Sequence, residues 1–344
     1  MVQELEFPFP TPPAGGAVQA VAPGVLWVRM PLPFALDHIN LWLLADGESW
    51  VVVDTGFALD SVRHDWDHIL TQLAAPISKV IVTHFHPDHL GLATWLQARH
   101  DAPLLMTTGE FLTGQAVWHE IGGHGTTPML AQFSQHGLDD TRLAALAQRG
   151  NGYRRGVPEM PETYQRLFDR QGLNIGGKSW QVIVGYGHSP EHAALYCPEL
   201  GVLISGDMLL PKISTNISVF AVTPTADVLR LYLDSLDDLT ARVAADTLVL
   251  PSHGLPFRGL QPRVEALHAH HVERLGVLEE NCNEPRSAAE LLSTLFPRSL
   301  DTHQTMFAMG EAIAHLNHLE QAGRLSRSID ADGVIRFQRS CLTH

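Results

Sequence analysis

Thr83-His84-Phe85-His86-Pro87-Asp88-His89-Leu90-Gly91 places three histidines and a carboxylate within six consecutive positions. Just upstream, Lys79-Val80-Ile81-Val82 is a β-branched apolar run that reads as a buried strand. The ligand types therefore stand where a strand ends, a place where side chains converge on a cavity. Imidazole and carboxylate suit zinc, iron or manganese, and a spacing of two lets His84 and His86 point the same way. Asp88 and His89 follow in a turn tightened by Pro87. One H-x-H pair arises by chance, but four ligand types in six residues point to a metal.

Composition narrows the setting. The chain has 344 residues, 45% hydrophobic and 17% charged, enough for one large core or for a large and a small domain. No apolar run approaches a membrane span. Met1 to Gly16 is proline-rich and acidic, without a basic start or an apolar block, so residues 1–17 read as an extended arm and not as a signal peptide. Cys197, Cys282 and Cys341 are scattered and odd in number, which argues against a disulfide framework and for a reducing, cytoplasmic setting. A formal charge of −14 argues against a phosphate-backbone partner, whose binding draws on Lys and Arg. A small-molecule substrate is expected instead, with no membrane or nucleic-acid partner.

Along the chain, Val25 to Met30, Ile39 to Leu44 and Trp50 to Val53 read as strands, the last two joined by an Asp46-Gly47 hairpin. Ala58 to Ala74 reads as a helix with Val62, Trp66, Ile69 and Leu73 on one face, and Gly91 to Arg99 as another. This order agrees with an αββα sandwich over residues 18–260. Within it, 109–172 is broken by glycines around a short helix at Leu138 to Gln148, and reads as a lid or substrate-binding insertion. From 261 to 344 the texture turns helical: Pro262 to Glu280, Ser287 to Leu295 and Phe307 to Gln321, then a hairpin about Asp332-Gly333. Three helices and a hairpin look like a winged helix. This one has no lysine, so it reads as a packing or homodimerisation appendage.

The pattern T-H-x-H-x-D-H-x-x-G resembles the signature of the metallo-β-lactamase superfamily, and other segments match in order. Asp54-Thr55-Gly56 follows Val51 to Val53; His188 follows Val182 to Gly187; Asp207 follows Val202 to Gly206; His253 follows Leu248 to Ser252. The resemblance spans about Val18 to Arg258 and implies a four-layer αββα fold with a dinuclear centre. His84, His86 and His188 would hold one divalent ion, Asp88, His89 and His253 a second, and Asp207 would bridge them. Zinc is the expected metal, with iron or manganese as alternatives. Two cations sharing a water lower its pKa from 15.7 to about 7 and supply hydroxide for attack on a carbonyl or phosphorus centre. Asp88 is the candidate catalytic residue, as ligand and as orienter of the nucleophile. Asp54 and His192 are expected to support the ligands through hydrogen bonds. Lys212 and Asn216, soon after Asp207, are candidate substrate contacts.

The remaining histidines receive blander readings. His38, His64, His68, His100 and His136 have no partner pattern and are expected to be solvated. His268, His270 and His271 share no single helical face and are assigned to the surface. His119 and His124 fall in the insertion. Among functions, the full nitrogen and oxygen ligand set, with Asp207 where some secreted lactamases carry cysteine, favours a hydrolase of thioesters or related esters and lactones. It is similar to that of hydroxyacylglutathione hydrolases, although the insertion and tail depart from them. A phosphodiesterase or ribonuclease is the alternative, with Arg142, Arg149, Arg154, Arg155, Arg166 and Arg170 as its only basic candidates. A non-catalytic ligand-binding regulator has little use for an activated water. A mononuclear iron dioxygenase would leave Asp88 and His253 without a metal role.

Overall fold

The computed structural model describes residues 5–340. Cys341 lies outside them, as do the first residues of the expected arm and the end of the C-terminal segment. The elements run in order: β1 Val18–Ala22, β2 Val25–Pro31, β3 His38–Asp46, β4 Ser49–Val53, α1 Asp60–Leu73, β5 Ile77–Ile81, α2 Pro87–Leu90, α3 Ala93–His100 and β6 Leu104–Met106. Then come α4 Thr108–His119, α5 Thr126–Gln135, α6 Asp140–Arg149, α7 Tyr153–Gly156, β7 Gln165–Arg166, β8 Gly172–Ile175, β9 Lys178–Gly185, β10 His192–Cys197 and β11 Val202–Gly206. The chain ends with α8 Val228–Arg242, β12 Leu248–Pro251, α9 Leu260–Asn281, α10 Leu292–Leu295, α11 Thr302–Gln321, β13 Leu325–Ile329 and β14 Ile335–Arg339. Two compact units emerge, one built from 5–118, 152–215 and 235–264, the other from 119–151, 216–234 and 265–340.

The first unit is the sandwich. One sheet has the order β1-β2-β3-β4-β5-β6-β7 and the other β12-β11-β10-β9-β8. Side chains of a strand alternate between faces, so each strand contributes every second residue to the layer between the sheets. Val51 and Val53, Trp180, Val182 and Val184, Leu195 and Cys197, Val202 and Ile204, and Leu248 and Leu250 form this shared core. The intervening residues Leu41, Leu43, Val52 and Val80 are also buried, as expected for central strands covered by helices on the outer face. Helix α1 supplies such cover with Val62, Trp66, Ile69 and Leu70, while Leu73 is only half-buried. Trp27 faces Trp42 across the β2–β3 ladder, with stacked rings 6.2 Å apart. The Asp46-Gly47 hairpin forms, with Asp46 paired to Ser49. The arm carries one isolated bridge, Glu6 to Arg258, and, among the described residues, no strand or helix before β1.

The insertion is more helical than its glycines suggest. Helices α4 and α5 were not legible in it, while α6 forms where the short helix at Leu138 to Gln148 was expected, with its ends shifted by one or two residues. Residues 119–151 of it belong to the second unit.

That second unit is helical with one two-stranded sheet, β13 with β14. Helix α11 starts at a capping box, with Asp301 accepting from Gln304 N–H and the Gln304 side chain returning to Asp301 N–H. It buries Ala308, Met309, Ala312, Ile313, Leu316 and Leu319. The second expected helix shrinks to the single turn α10, because 287–291 is turn-like and Ser287 N–H is taken by the Glu290 carboxylate.

Two histidine readings need correction here. His136 is buried and stacks on Phe337, and His271 is buried with its Nδ1 at 3.1 Å from His315 Nε2. Local spacing assigned both to solvent. The helices packed around them removed that exposure. No helix among the described residues is long and apolar enough to cross a membrane. Cys197 and Cys282 are buried free thiols.

Candidate metal centre

Strand ends bring the candidate ligands together. The 83–91 loop leaves β5, His188 follows β9, Asp207 follows β11 and His253 follows β12. His84, His86, His188 and Asp207 form one group of converging ligand atoms, and Asp88, His89 and His253 a second. Asp207 lies between them. Its Oδ2 is 3.5 Å from His188 Nε2 and 3.9 Å from His84 Nε2. Its Oδ1 is 3.5 Å from His253 Nε2 and 3.7 Å from His89 Nε2. Asp88 Oδ2 faces the same two rings, at 3.5 Å from His253 and 3.8 Å from His89.

The far nitrogen of each ring explains its orientation. Asp54, in a left-handed conformation with φ of 63° at the end of β4, accepts from His89 Nδ1 at 2.8 Å. It also accepts the Thr83 N–H and hydroxyl. Thr83 Oγ1, having given its proton to Asp54, accepts from His84 Nδ1 at 3.0 Å. His253 Nδ1 donates to the His38 carbonyl at 2.8 Å. These acceptors leave Nε2 of His84, His89 and His253 as bare lone pairs turned into the cluster. His38 also corrects the sequence reading. Its Nε2 accepts from Gly254 N–H at 2.9 Å, while Asn40 Nδ2 holds the Pro251 and Gly254 carbonyls. Thus β3 ties down the loop that carries His253.

Two glycines are dictated by close approach. A Cβ on Gly91 would stand 2.4 Å from the Gly56 carbonyl oxygen and 2.5 Å from those of Pro87 and Gly156. The ligand loop can fold against the Asp54-Thr55-Gly56 turn only if position 91 has no side chain, and Thr55 then donates twice to the His89 carbonyl. A Cβ on Gly206 would meet His192 Nε2 at 2.2 Å. That contact lets His192 accept the Asp207 N–H at 3.2 Å, and burial pushes the His192 imidazole down to about 3. His192 supports Asp207 through the backbone, whereas Asp54 supports His89 directly.

A cation fits this donor set. His84 Nε2 meets His86 Nδ1 at 2.9 Å and His188 Nε2 at 3.2 Å, a convergence of imidazole nitrogens around one point. Burial holds His84 and His86 well below the usual histidine range, so they are neutral as ligands must be. His89 Nε2 and Asp207 Oδ1 are buried without a hydrogen-bond partner, a cost of about 1–3 kcal/mol each unless an ion meets them. Burial opposes charge on His89 and His253, but nearby carboxylates raise both: Asp54, Asp88 and Asp207 raise His89, and Asp207 and Asp88 raise His253.

The carboxylate that sequence reasoning missed is Glu110, buried on α4 and hydrogen-bonded to both the 83–91 loop and the 189–191 turn. Burial pushes its carboxyl up to about 7 although three hydrogen bonds favour the anion. No local motif marks it. The two proposed substrate contacts are not alike. Lys212 is exposed, with its ammonium 5.9 Å from the Phe7 ring. Asn216 belongs to the second unit, where Ser218 donates to its Oδ1 and it bonds the half-buried Glu311 carboxylate. His119 and His124 also belong to that unit.

A sequence profile described as metallo-beta-lactamase superfamily matches residues 35–253. The chain belongs to that superfamily. A second profile, the metallo-beta-lactamase-like C-terminal domain, matches 275–340. Among solved structures, a beta-lactamase domain protein from Burkholderia ambifaria is 46% identical with a TM-score of 0.90, over 98% of both chains. A metallo-beta-lactamase family protein from Thermus thermophilus is 31% identical with a TM-score of 0.80, over 93% of this chain and 100% of its own. The probable metallo-hydrolase YqjP of Bacillus subtilis is 24% identical over 318 residues, 86% of this chain and 92% of the relative. The superfamily and the His/Asp cluster together point to a dinuclear metal site in a metallo-hydrolase.

Proposed function

We propose that this protein is a dinuclear metal-dependent hydrolase of small thioesters or related carboxylic esters and lactones. One observation carries the dinuclear reading: Asp207 turns one oxygen to each of the two ligand groups, all four distances lying between 3.5 and 3.9 Å. We assign His84, His86 and His188 to one ion and Asp88, His89 and His253 to the other, with zinc as the metal suited to this nitrogen and oxygen set. Bound there, two cations supply an activated water at neutral pH and charge stabilisation for a developing oxyanion.

The side chains do the rest. Asp54, Thr83 and the His38 carbonyl hold the imidazole protons on the outward nitrogens, so the inward ones stay basic. Asp88 is the half-buried carboxylate of the set, with Oδ2 turned to His89 and His253, and we assign it to orient a water by accepting a hydrogen bond from it. Exposed Lys212 is our candidate for a polar end of the substrate.

Support for an ester comes from charge and from relatives. A net charge of −14 disfavours a polyphosphate backbone. A hydroxyacylglutathione hydrolase of Albidiferax ferrireducens is 26% identical over 183 residues, 52% of this chain and 51% of its own. A linear primary-alkylsulfatase of Pseudomonas is 25% identical over 228 residues, 64% of this chain and 42% of its own, and makes sulfate esters the control substrate. The test is initial rates of metal-replete protein on an acyl thioester, an activated phosphodiester and an alkyl sulfate. Thioester turnover is expected, and Asp88→Asn should lower kcat by about 10³-fold with a smaller change in KM. Turnover of the phosphodiester or the sulfate alone would overturn the ester assignment. Metal analysis of the purified protein tests zinc.

A further inference from the structure

Glu110 takes three hydrogen bonds from two separate ligand loops. Its Oε2 accepts the Phe85 N–H at 3.0 Å, and Phe85 stands between His84 and His86. Its Oε1 accepts the Ser189 hydroxyl and the Glu191 N–H, each at 2.6 Å, immediately after His188. The carbonyl of Phe85 is held as well, by the Tyr153 hydroxyl at 2.5 Å. The attachment is reciprocal: the Glu191 carboxylate accepts the Gly109 N–H at 2.7 Å, and the Glu191 carbonyl accepts the Thr107 hydroxyl at 2.7 Å. The start of α4 and the 189–191 turn are thus bound to each other, with Glu110 fully buried between the loops.

We propose that Glu110 is a positioning residue that sets the separation of the His84–His86 loop from the His188 loop, and thereby the metal affinity of the three-histidine half of the centre. The proposal rests on the reading of these histidines as metal ligands. All three of its partners are donors, so a carboxylate, which only accepts, satisfies them together. A glutamine of the same shape would turn an N–H toward at least one of them, and an alanine would take the acceptor away from all three. The other half of the centre takes its orientation from Asp54 and from the His38 carbonyl, neither of which involves Glu110. The consequence of losing Glu110 should therefore fall on the three-histidine half, because His89, although in the same 83–91 loop, is held in place by Asp54.

The experiment is cobalt(II) titration of metal-stripped full-length protein, followed by visible absorption, with Glu110→Gln placed in two backgrounds. His253→Ala weakens the second half and reports on the first; His188→Ala does the reverse. In the His253→Ala background, Glu110→Gln should raise the half-saturating cobalt concentration by about tenfold or more. In the His188→Ala background it should change it by less than about twofold. Equal weakening in both backgrounds, or none in the first, overturns the proposal. A wild-type protein that binds no cobalt overturns the metal reading itself, and the proposal with it. Circular dichroism and thermal unfolding establish whether Glu110→Gln folds. If it does not, Ser189→Ala removes a single donor from Oε1 and should raise the first-background value by about threefold; an unchanged value there also overturns the proposal.

Discussion

Both compact units bury histidines against one another, and only one of the two clusters is suited to hold a metal. In the first unit the rings of His84 and His86 lie 4.5 Å apart and those of His84 and His188 4.9 Å. In the second, those of His271 and His315 lie 5.2 Å apart. Ring proximity is nearly the same. The difference is what surrounds it. Asp54, Asp88 and Asp207 stand around the first cluster, and lone pairs of several rings meet there. In the second, His315 Nδ1 donates to the Glu311 backbone carbonyl and its Nε2 faces His271 Nδ1; His271 Nε2 is buried without a hydrogen-bond partner, but among the described residues no carboxylate joins the pair in a group able to hold a metal. Among the described residues, both groups able to hold a metal lie in the first unit. A metal centre needs carboxylates and outward-pinned imidazole protons, and proximity of histidines alone does not make one.

Removing the shared carboxylate tests that contrast most severely. Asp207→Asn keeps the shape of the site but cannot serve both ligand groups as an anion. Bound metal, measured by elemental analysis after dialysis, should fall from about two ions per chain to about one, and kcat should drop at least ~10³-fold. Two ions retained with near-normal turnover would show that Asp207 does not link the groups. A milder test is Asp54→Asn, which leaves every proposed ligand in place. The amide can still accept from His89 Nδ1 but loses charge and one of the acceptors used by Thr83. Metal affinity of the His89 side should fall about 10–100-fold. A loss confined to thermal stability, with affinity unchanged, would make Asp54 a fold residue only.

How much of this was legible in the chain depends on whether a residue's role is set by its neighbours in sequence. The ligand loop, the Asp54 turn and the strand ends before His188, Asp207 and His253 could be read, because each pairs a short apolar run with a polar residue placed by the next turn. Helix α1 was legible from the spacing of Val62, Trp66 and Ile69. Glu110 was not, since its three partners come from positions 85, 189 and 191, and nothing near it in the chain signals them. His38 failed for the same reason: its role is to meet Gly254 and to lend a backbone carbonyl to His253. Helix α4 was hidden by Gly114, which packs closely against Tyr153 and Leu90, and α5, which contains no glycine, by Gly122, Gly123 and Gly125 just ahead of it.

The least dramatic prediction concerns buried histidines outside the two candidate ligand groups. Burial, with the Arg327 cation nearby, pushes His136 down to about 4. Burial and neighbouring cationic groups, including Arg274, push His271 to about 3 and His315 to about 4. In the unfolded chain each would titrate near 6.5. Between pH 6.5 and about 4 the unfolded state therefore binds protons that the folded state refuses, and stability falls as pH falls. At pH 5.5 a group such as His136 should cost about 1 kcal/mol relative to pH 7.5. His136→Phe, which keeps a flat ring against Phe337, should make urea unfolding of the C-terminal unit less pH-dependent by about one proton while leaving bound metal unchanged. An unaltered slope would mean that His136 is protonated in the folded protein, and a loss of metal would break the division of labour between the two histidine clusters.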